Sequence, residues 1–214
     1  MSAARLSVAL RPPAPHGDNS DMPFTPPLPI ANSALLVIDV QDSFTAGERW
    51  QRRGNPHFEA NLLELIAAYR AKRLPIIFFL HSDEDEHFTT TSPLYKVMDF
   101  VGLRPEDTLL HKSSRNCFTT TDLERRLTQD GVRRLVVTGI QTEQCCETTA
   151  RVGADLGYDV DFVTEATLTF PISLVPGQRE GELAVDAVVE RTEYALRRRF
   201  ARIARVDDIL AEVA

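Results

Sequence analysis

The sequence has few cysteines, no long apolar run and no basic stripe. Three cysteines among 214 residues, two of them adjacent, cannot build a disulfide framework, which points to a reducing compartment. No apolar stretch reaches the roughly 20 residues of a membrane span, and the first residues hold no apolar core of signal-peptide length. The expected location is cytoplasmic. The formal charge is −7, and the one basic cluster, Arg197-Arg198-Arg199, fits the polar end of a helix. Neither nucleic acid nor a membrane surface is therefore an expected partner. What is present, 43% hydrophobic and 26% charged residues, describes a globular chain long enough for one α/β domain with a substantial core.

Seven of the 13 prolines lie in residues 1–30, Pro12 and Pro29 among them. That stretch has no hydrophobic period and is expected to be an extended arm or disordered tail, or an arm that wraps a neighbouring subunit. Residues 31–214 form the expected domain. Ala34 to Val40 is apolar almost throughout, as a strand buried on both faces should be, and Asp39 breaks the run near its end. A carboxylate there must be paired or functional. Asn55-Pro56 has the pattern of an N-cap and a first helical residue, with Leu62, Leu63, Leu65, Ile66 and Tyr69 as the apolar stripe. Further strands are expected at Pro75 to Leu80, Asp107 to His111, Leu135 to Thr138, Tyr158 to Thr164 and Phe200 to Ala204. His81 to Pro93 is a polar loop. Thr121-Asp122-Leu123-Glu124 has the form of a capping box, and Gly131 and Gly157 stand where C′ residues belong. Helices are expected at Glu182 to Arg199 and Val206 to Val213. Strands alternating with helices give a parallel sheet covered on both faces.

One stretch carries the chemistry. After the strand at Leu135 to Thr138, Gly139 permits a sharp turn, and Thr142 has the identity of an N-cap. Cys145 then falls in the first helical turn, where free N–H groups and the helix dipole would lower its pKa. Cys146 belongs to a small-residue face with Thr149, Ala150 and Gly153, suited to packing on the sheet. Asp39, Lys112 and Cys145 all end or follow expected strands on the carboxyl side, where open parallel sheets bind ligands. An acid to take a thiol proton, an ammonium to stabilise the thiolate and a thiolate to attack a carbonyl make one chemical unit.

Several blocks share a family-like order and spacing. They are Leu36-Val37-Ile38-Asp39-Val40-Gln41-Asp42-Ser43-Phe44; Lys112 with Phe118, Thr121 and Leu123; Gly139-Ile140-Gln141-Thr142-Glu143-Gln144-Cys145; and Asp155-Leu156-Gly157-Tyr158-Asp159-Val160 with Glu165-Ala166-Thr167. Together they resemble the isochorismatase-like cysteine hydrolase superfamily, which includes nicotinamidases and N-carbamoylsarcosine amidohydrolases. The resemblance runs from Ala34 to the C-terminus. It implies a three-layer, doubly wound, six-stranded parallel sheet of order 3-2-1-4-5-6. It implies Asp39 as general base, Lys112 beside the thiolate and Cys145 as nucleophile. It also implies a cis peptide between Ile140 and Gln141, and an oxyanion hole formed by the Gln141 and Cys145 N–H groups. The reaction expected is hydrolysis of a small amide or carbamoyl C–N bond through a thioester. Isochorismatases proper, which cleave a vinyl ether, lack the nucleophilic cysteine, so Cys145 argues against that chemistry. The rival from another class is a non-catalytic binding or redox-sensing protein on the same fold.

Phe44, Trp50, His81, Asn116 and Phe118 are the candidate substrate pocket, with Tyr95 and Phe170 as further aromatic candidates. Asn116 and Cys117 depart from the Ser and Ala frequent in the family. Metal-dependent nicotinamidase relatives carry Asp-x-His near the second strand; here His81-Ser82-Asp83 reverses it. No metal and no cofactor are expected, and His81 is placed at the pocket rim on an acidic, solvated loop. The four acids Asp83 to Glu86 favour neutral or cationic substrates. The expected partners are a small amide or carbamoyl compound and further copies of the chain, as a dimer or tetramer.

Overall fold

The computed structural model describes residues 27–175 and 178–214, so most of the proline-rich arm lies outside the described residues. Six strands run β1 Ser33–Ile38, β2 Ile76–His81, β3 Thr108–Lys112, β4 Arg134–Ile140, β5 Asp159–Leu168 and β6 Arg202–Ile203. All pair in parallel, in the order β3-β2-β1-β4-β5-β6. The expected doubly wound sheet is thus present. Its order reverses between β1 and β4, the switch point that places a crevice at the carboxyl ends in sheets of this type.

Alternation along β1 explains the three layers. Leu35 and Val37 face one apolar layer, which also holds Phe58, Leu62, Leu65, Ile66 and Ile209. Ala34, Leu36 and Ile38 face the other, with Leu123, Leu127, Cys146, Ala150 and Leu196. Helices α1 Phe58–Ala71 and α5 Val206–Val213 cover the first face; α2 Leu123–Gln129, α3 Glu147–Asp155 and α4 Val185–Leu196 cover the second. On α1 the buried stripe is Leu62, Leu65, Ile66 and Tyr69, each worth about 1.5–3 kcal/mol on burial. Leu63 lies off that stripe, 39% exposed. Among the described residues no helix is long and apolar enough to cross a membrane.

Several boundaries differ from expectation for local reasons. Strand β5 continues to Leu168 because its pairing with β4 shifts register between Val137 and Gly139. The shift leaves carbonyls of β5 without ladder partners. Asn55 Nδ2 donates to the Glu165 and Thr167 carbonyls at 2.9 and 2.7 Å, and Asn61 Nδ2 to Glu165 at 2.7 Å. Asn55 therefore serves β5 and does not cap α1, which begins after His57. The expected capping box at Thr121 is absent: the Thr121 hydroxyl accepts from Leu123 N–H at 3.1 Å, while Asp122 pairs with Arg125 and Arg126. Helix α4 starts at Val185 because Leu183 is bonded to Ile172 in an antiparallel bridge. It ends at Leu196, ahead of the left-handed Arg198. Gly131 and Gly157, at φ +67° and +89°, do follow the C-caps of α2 and α3.

At the amino ends of the strands a buried charge cluster ties the termini down. Arg134 is fully buried, with Asp161 and Glu212 each at 2.6 Å, and Arg202 bonds the same two acids. Arg134 Nη1 also donates to the Leu28 carbonyl at 2.7 Å, and Asp159 accepts from the Leu28 N–H at 3.0 Å.

Candidate active site

Four strands deliver polar residues to the crevice. Asp39 follows β1, His81 ends β2, Lys112 ends β3, and Gln141 follows β4. All four are buried. Asp39 leaves its strand with φ +51°, a left-handed turn that an aspartate tolerates better than a branched residue. Its N–H bonds the Phe79 carbonyl, and its carbonyl accepts from Gln41 N–H, so the backbone is held on both sides. Across the crevice β4 approaches β1 closely. A Cβ on Gly139, at φ +120°, would lie 2.0 Å from the Ile38 carbonyl oxygen.

The turn that carries Cys145 is not the α-helical N-terminus expected. Residues Thr142–Cys146 form a π-helical turn, with Cys146 N–H bonded to the Gln141 carbonyl at 3.2 Å, and α3 begins only at Glu147. The Thr142 hydroxyl donates to Thr167 Oγ1 at 2.8 Å and caps nothing. The Gln144 N–H also reaches the Gln141 carbonyl, while the intervening Cys145 N–H does not. The Ile140–Gln141 peptide is cis. Cys146 is buried on the sheet side, its sulfur 3.7 Å from the Thr138 carbonyl.

Lys112 Nζ lies 2.8 Å from Asp39 Oδ2, with both side chains fully buried. The same ammonium donates to the Ser114 carbonyl at 3.1 Å and approaches His81 Nδ1 at 3.3 Å. Its three N–H donors are thus assigned, and it acts on Cys145 by charge across a short gap, not by a hydrogen bond. Beside Lys112, the hydrogen-bonding neighbour of the Asp39 carboxylate is the Cys145 thiol. The thiol proton therefore lies next to the group that could take it. Burial raises the Asp39 pKa and Lys112 opposes the rise. Burial works against the Lys112 charge, but Asp39, with smaller contributions from Cys117 and Cys145, outweighs it and holds the ammonium protonated.

The lowered thiol pKa expected for Cys145 is not found. Burial and then the Asp39 charge push it well up, with Lys112 only partly opposing them. The resting group is a thiol beside a carboxylate, which calls for a base at the moment of attack.

His81 sits inside the site, 2% exposed, and not on a solvated rim. The Gln41 side chain clamps its backbone, accepting from His81 N–H at 2.7 Å and donating to its carbonyl at 3.0 Å. Burial, Lys112 and Arg115 lower its pKa to about 4, so it is neutral near pH 7. Nδ1 accepts from Lys112, while Nε2 faces both the Arg115 guanidinium and Asp83, the latter at 3.3 Å. Asp39, His81 and Cys145 place one donor atom each within 4.8 Å of one another, a set chemically suited to a soft cation. Lys112 already fills the space between the carboxylate and the imidazole.

The aromatic candidates divide. Phe44 meets Phe88 edge-on at 5.0 Å and Phe170 at 6.0 Å, and Trp50 meets Phe170 at 6.4 Å. These form one wall, which His81 joins through Phe88. Phe118 instead packs on Tyr158 in the layer on the other face of the sheet. Asn116 is taken up by its own turn, its Oδ1 accepting from the Phe118 and Thr119 N–H groups. The structure does not bring either of them to the wall. Tyr95 bonds His111 Nδ1 at 2.9 Å. Phe88, Gln41 and Arg49 were missed. Gln41 follows Asp39 by two residues, but a buried amide has no periodic signature.

Comparison with known proteins identifies the family. The sequence profile of the isochorismatase domain matches residues 33–206. The isochorismatase family protein YrdC of Bacillus subtilis (strain 168) is 28% identical over 139 residues, covering 64% of this chain and 74% of its own. Nicotinamidase 3 of Arabidopsis thaliana is 30% identical over 154 residues, covering 64% of this chain and 74% of its own. A solved structure of the isochorismatase family from Chromobacterium violaceum ATCC 12472 superposes with a TM-score of 0.79 at 27% identity, covering 90% of this chain and 98% of that one. With the sheet order, the crevice and these matches together, the chain belongs to the isochorismatase family of hydrolases.

Proposed function

We propose that this chain is a cysteine-dependent amidohydrolase that cleaves a C–N bond of a small amide or carbamoyl compound through a thioester. The observation that carries the reading is the buried Asp39–Lys112 pair at 2.8 Å with the Cys145 thiol beside the Asp39 carboxylate. The similarity to a nicotinamidase supports an amide as the bond cleaved.

In this reading the substrate carbonyl oxygen points at the Gln141 and Cys145 N–H groups. Asp39 takes the thiol proton as sulfur attacks the carbonyl carbon, so no free thiolate has to persist in a buried site. Lys112 offsets the negative charge that moves from carboxylate to sulfur to oxygen. The tetrahedral species collapses, and Asp39 returns its proton to the leaving nitrogen. Water, deprotonated by Asp39, then hydrolyses the thioester. The neutral His81 keeps Lys112 aimed at Asp39 without adding a second positive charge.

An ammonia-release screen across amides, ureas and carbamoyl compounds, run beside Cys145→Ala, tests this reading. Turnover of at least one such compound, lost in the variant, is expected. Turnover that survives in Cys145→Ala overturns the proposal.

A further inference from the structure

Arg49 differs from the arginines around it. It sits on the 3-10 turn Glu48–Arg52, which follows β1 at the mouth of the crevice. On the same turn Arg52 pairs with Glu182, and nearby Arg115 lies 3.5 Å from Asp83. Among the described residues Arg49 has no carboxylate within ion-pair distance. It is held by neutral groups. Its Nη2 donates to Gln141 Oε1 at 2.7 Å, and its guanidinium lies 4.3 Å above the centre of the Phe170 ring. Arg49 is exposed, and four of its five N–H donors have no partner among the described residues and are open to solvent or to a ligand. Partial desolvation of the guanidinium against Phe170 lowers its pKa, and the charges of Glu143 and Asp85 act on it only from a distance. Glu143 is engaged through Oε2 with the Thr169 hydroxyl.

We propose that Arg49 is the docking fork for a carboxylate on the substrate, so that the compound cleaved is an amide or carbamoyl derivative of a small carboxylic acid. The proposal rests on the amidohydrolase reading and names the substrate class for that site. A guanidinium fixed by an aromatic face and one hydrogen bond is pre-organised for two parallel bonds to a carboxylate. Its anchor, Gln141, is also the residue whose N–H would meet the reacting carbonyl. Carboxylate and scissile carbonyl would then be separated by about the reach of one glutamine side chain, which suits a short linear acid. Phe44, Phe170 and Trp50 would flank the intervening carbons.

The acids at Asp83 to Glu86, which in sequence favour neutral or cationic substrates, do not oppose this. Asp83 faces His81 and Arg115 and caps the Asp85 N–H at 2.9 Å, and Asp85 caps the His87 N–H at 2.9 Å. Asp83 is thereby paired, and the Asp85 charge, which still reaches Arg49, helps to hold its guanidinium protonated.

The test compares acids with their neutral counterparts: succinamate against succinamide, and N-carbamoylglycine against N-carbamoylglycinamide. Wild-type enzyme should prefer the acid by about 30- to 100-fold in kcat/KM, the factor expected for a charge-assisted pair. In Arg49→Met the acid-to-neutral ratio of kcat/KM should collapse towards one, through a rise in KM for the acid. Arg49→Lys, which keeps the charge but loses the fork, should fall between. Equal or better cleavage of the neutral compounds by wild type, or an acid preference that survives in Arg49→Met, overturns the proposal. Binding is read separately, as the thermal shift that each acid gives Cys145→Ala with and without Arg49→Met. If no compound is cleaved but the acids stabilise the protein only when Arg49 is present, the amidohydrolase reading fails and the carboxylate site stands. If the acids give no shift and no turnover, the carboxylate site falls.

Discussion

At Asp39 three demands meet in one side chain. It must leave β1 in a left-handed turn, balance the Lys112 charge and stand beside the Cys145 thiol. Asp39→Asn keeps the shape and removes the base. Loss of a general base costs about 10²–10⁴-fold in rate, and kcat should fall by that much. It also leaves Lys112 charged and buried without a partner, which costs about 3–5 kcal/mol. The variant should therefore melt earlier as well as turn over slowly. Near-wild-type turnover, measured well below the melting temperature of the variant, would remove Asp39 from the base role.

His81 makes a second residue-scale prediction. Unfolded, it titrates near 6.5; folded, near 4. Between those values the unfolded chain binds more protons, so the term lowers stability as pH falls from 6.5 to 4 and has no effect above that window. The full loss is on the order of 3 kcal/mol. His81→Asn offers Lys112 an oxygen acceptor and does not titrate. Urea midpoints for wild type and variant should diverge at neutral pH by a constant amount and draw together by this extra term towards pH 4. Parallel curves across the window would mean that His81 is not a buried neutral acceptor.

At the scale of elements, the site depends on how closely β1 and β4 approach at the switch point. Gly139 is the residue that permits it. Alanine there meets both a positive φ and a carbonyl oxygen 2.0 Å from its Cβ, so the two strands must part. Gly139→Ala should cost at least about 3 kcal/mol in denaturant unfolding, from backbone strain and overpacking together. It should also impair catalysis, since Asp39 and Cys145 follow those strands. A variant with unchanged stability would show that the approach is not required.

The elements also show what a sequence can convey. Strand β1, the carboxyl-edge positions of Asp39, Lys112 and Cys145, and the C′ glycines were all legible, because burial on two faces and positive φ leave strong local signals. The π-helical turn was not. Thr142 has the identity of an N-cap, yet its hydroxyl is claimed by Thr167 on β5, a partner 25 residues away. Asn55 fails as a cap for the same reason: a register shift in β5 creates carbonyls that only the folded sheet reveals. The Cys145 pKa departs from what its place at a helix start implies, because burial and the Asp39 charge that the sheet brings to it outweigh the local effect. Phe118 and Phe44 look equivalent as isolated aromatics, and only the sheet separates them onto opposite faces.

At the scale of the whole molecule, the charge cluster around Arg134 lies at the end of the sheet opposite the crevice. It joins β4, β5, β6, α5 and the segment at Leu28. This gives the segment at Leu28 a structural part at that end of the sheet. Removal of residues 1–26 should leave kcat/KM within a few-fold of wild type, because every crevice residue lies after Ile38. Removal through residue 28 also takes away one partner of the buried Arg134, and a lost hydrogen bond to a charged group costs about 1.5–3 kcal/mol. The shorter deletion should keep the melting temperature and the longer one should lower it, with activity at 25 °C little changed in both. Loss of activity in the shorter deletion, with no change in assembly, would place part of the N-terminal stretch in the site.

The account stands or falls on the sulfur of Cys145. The direct measurement is acid quench during turnover of the fastest amide from the screen, followed by intact mass and peptide mapping. The prediction is an acyl mass on Cys145 in wild type, none in Cys145→Ala, and both adduct and turnover preserved in Cys146→Ala. An acyl group on Cys146 or Cys117, or turnover in Cys145→Ala within tenfold of wild type, would contradict it.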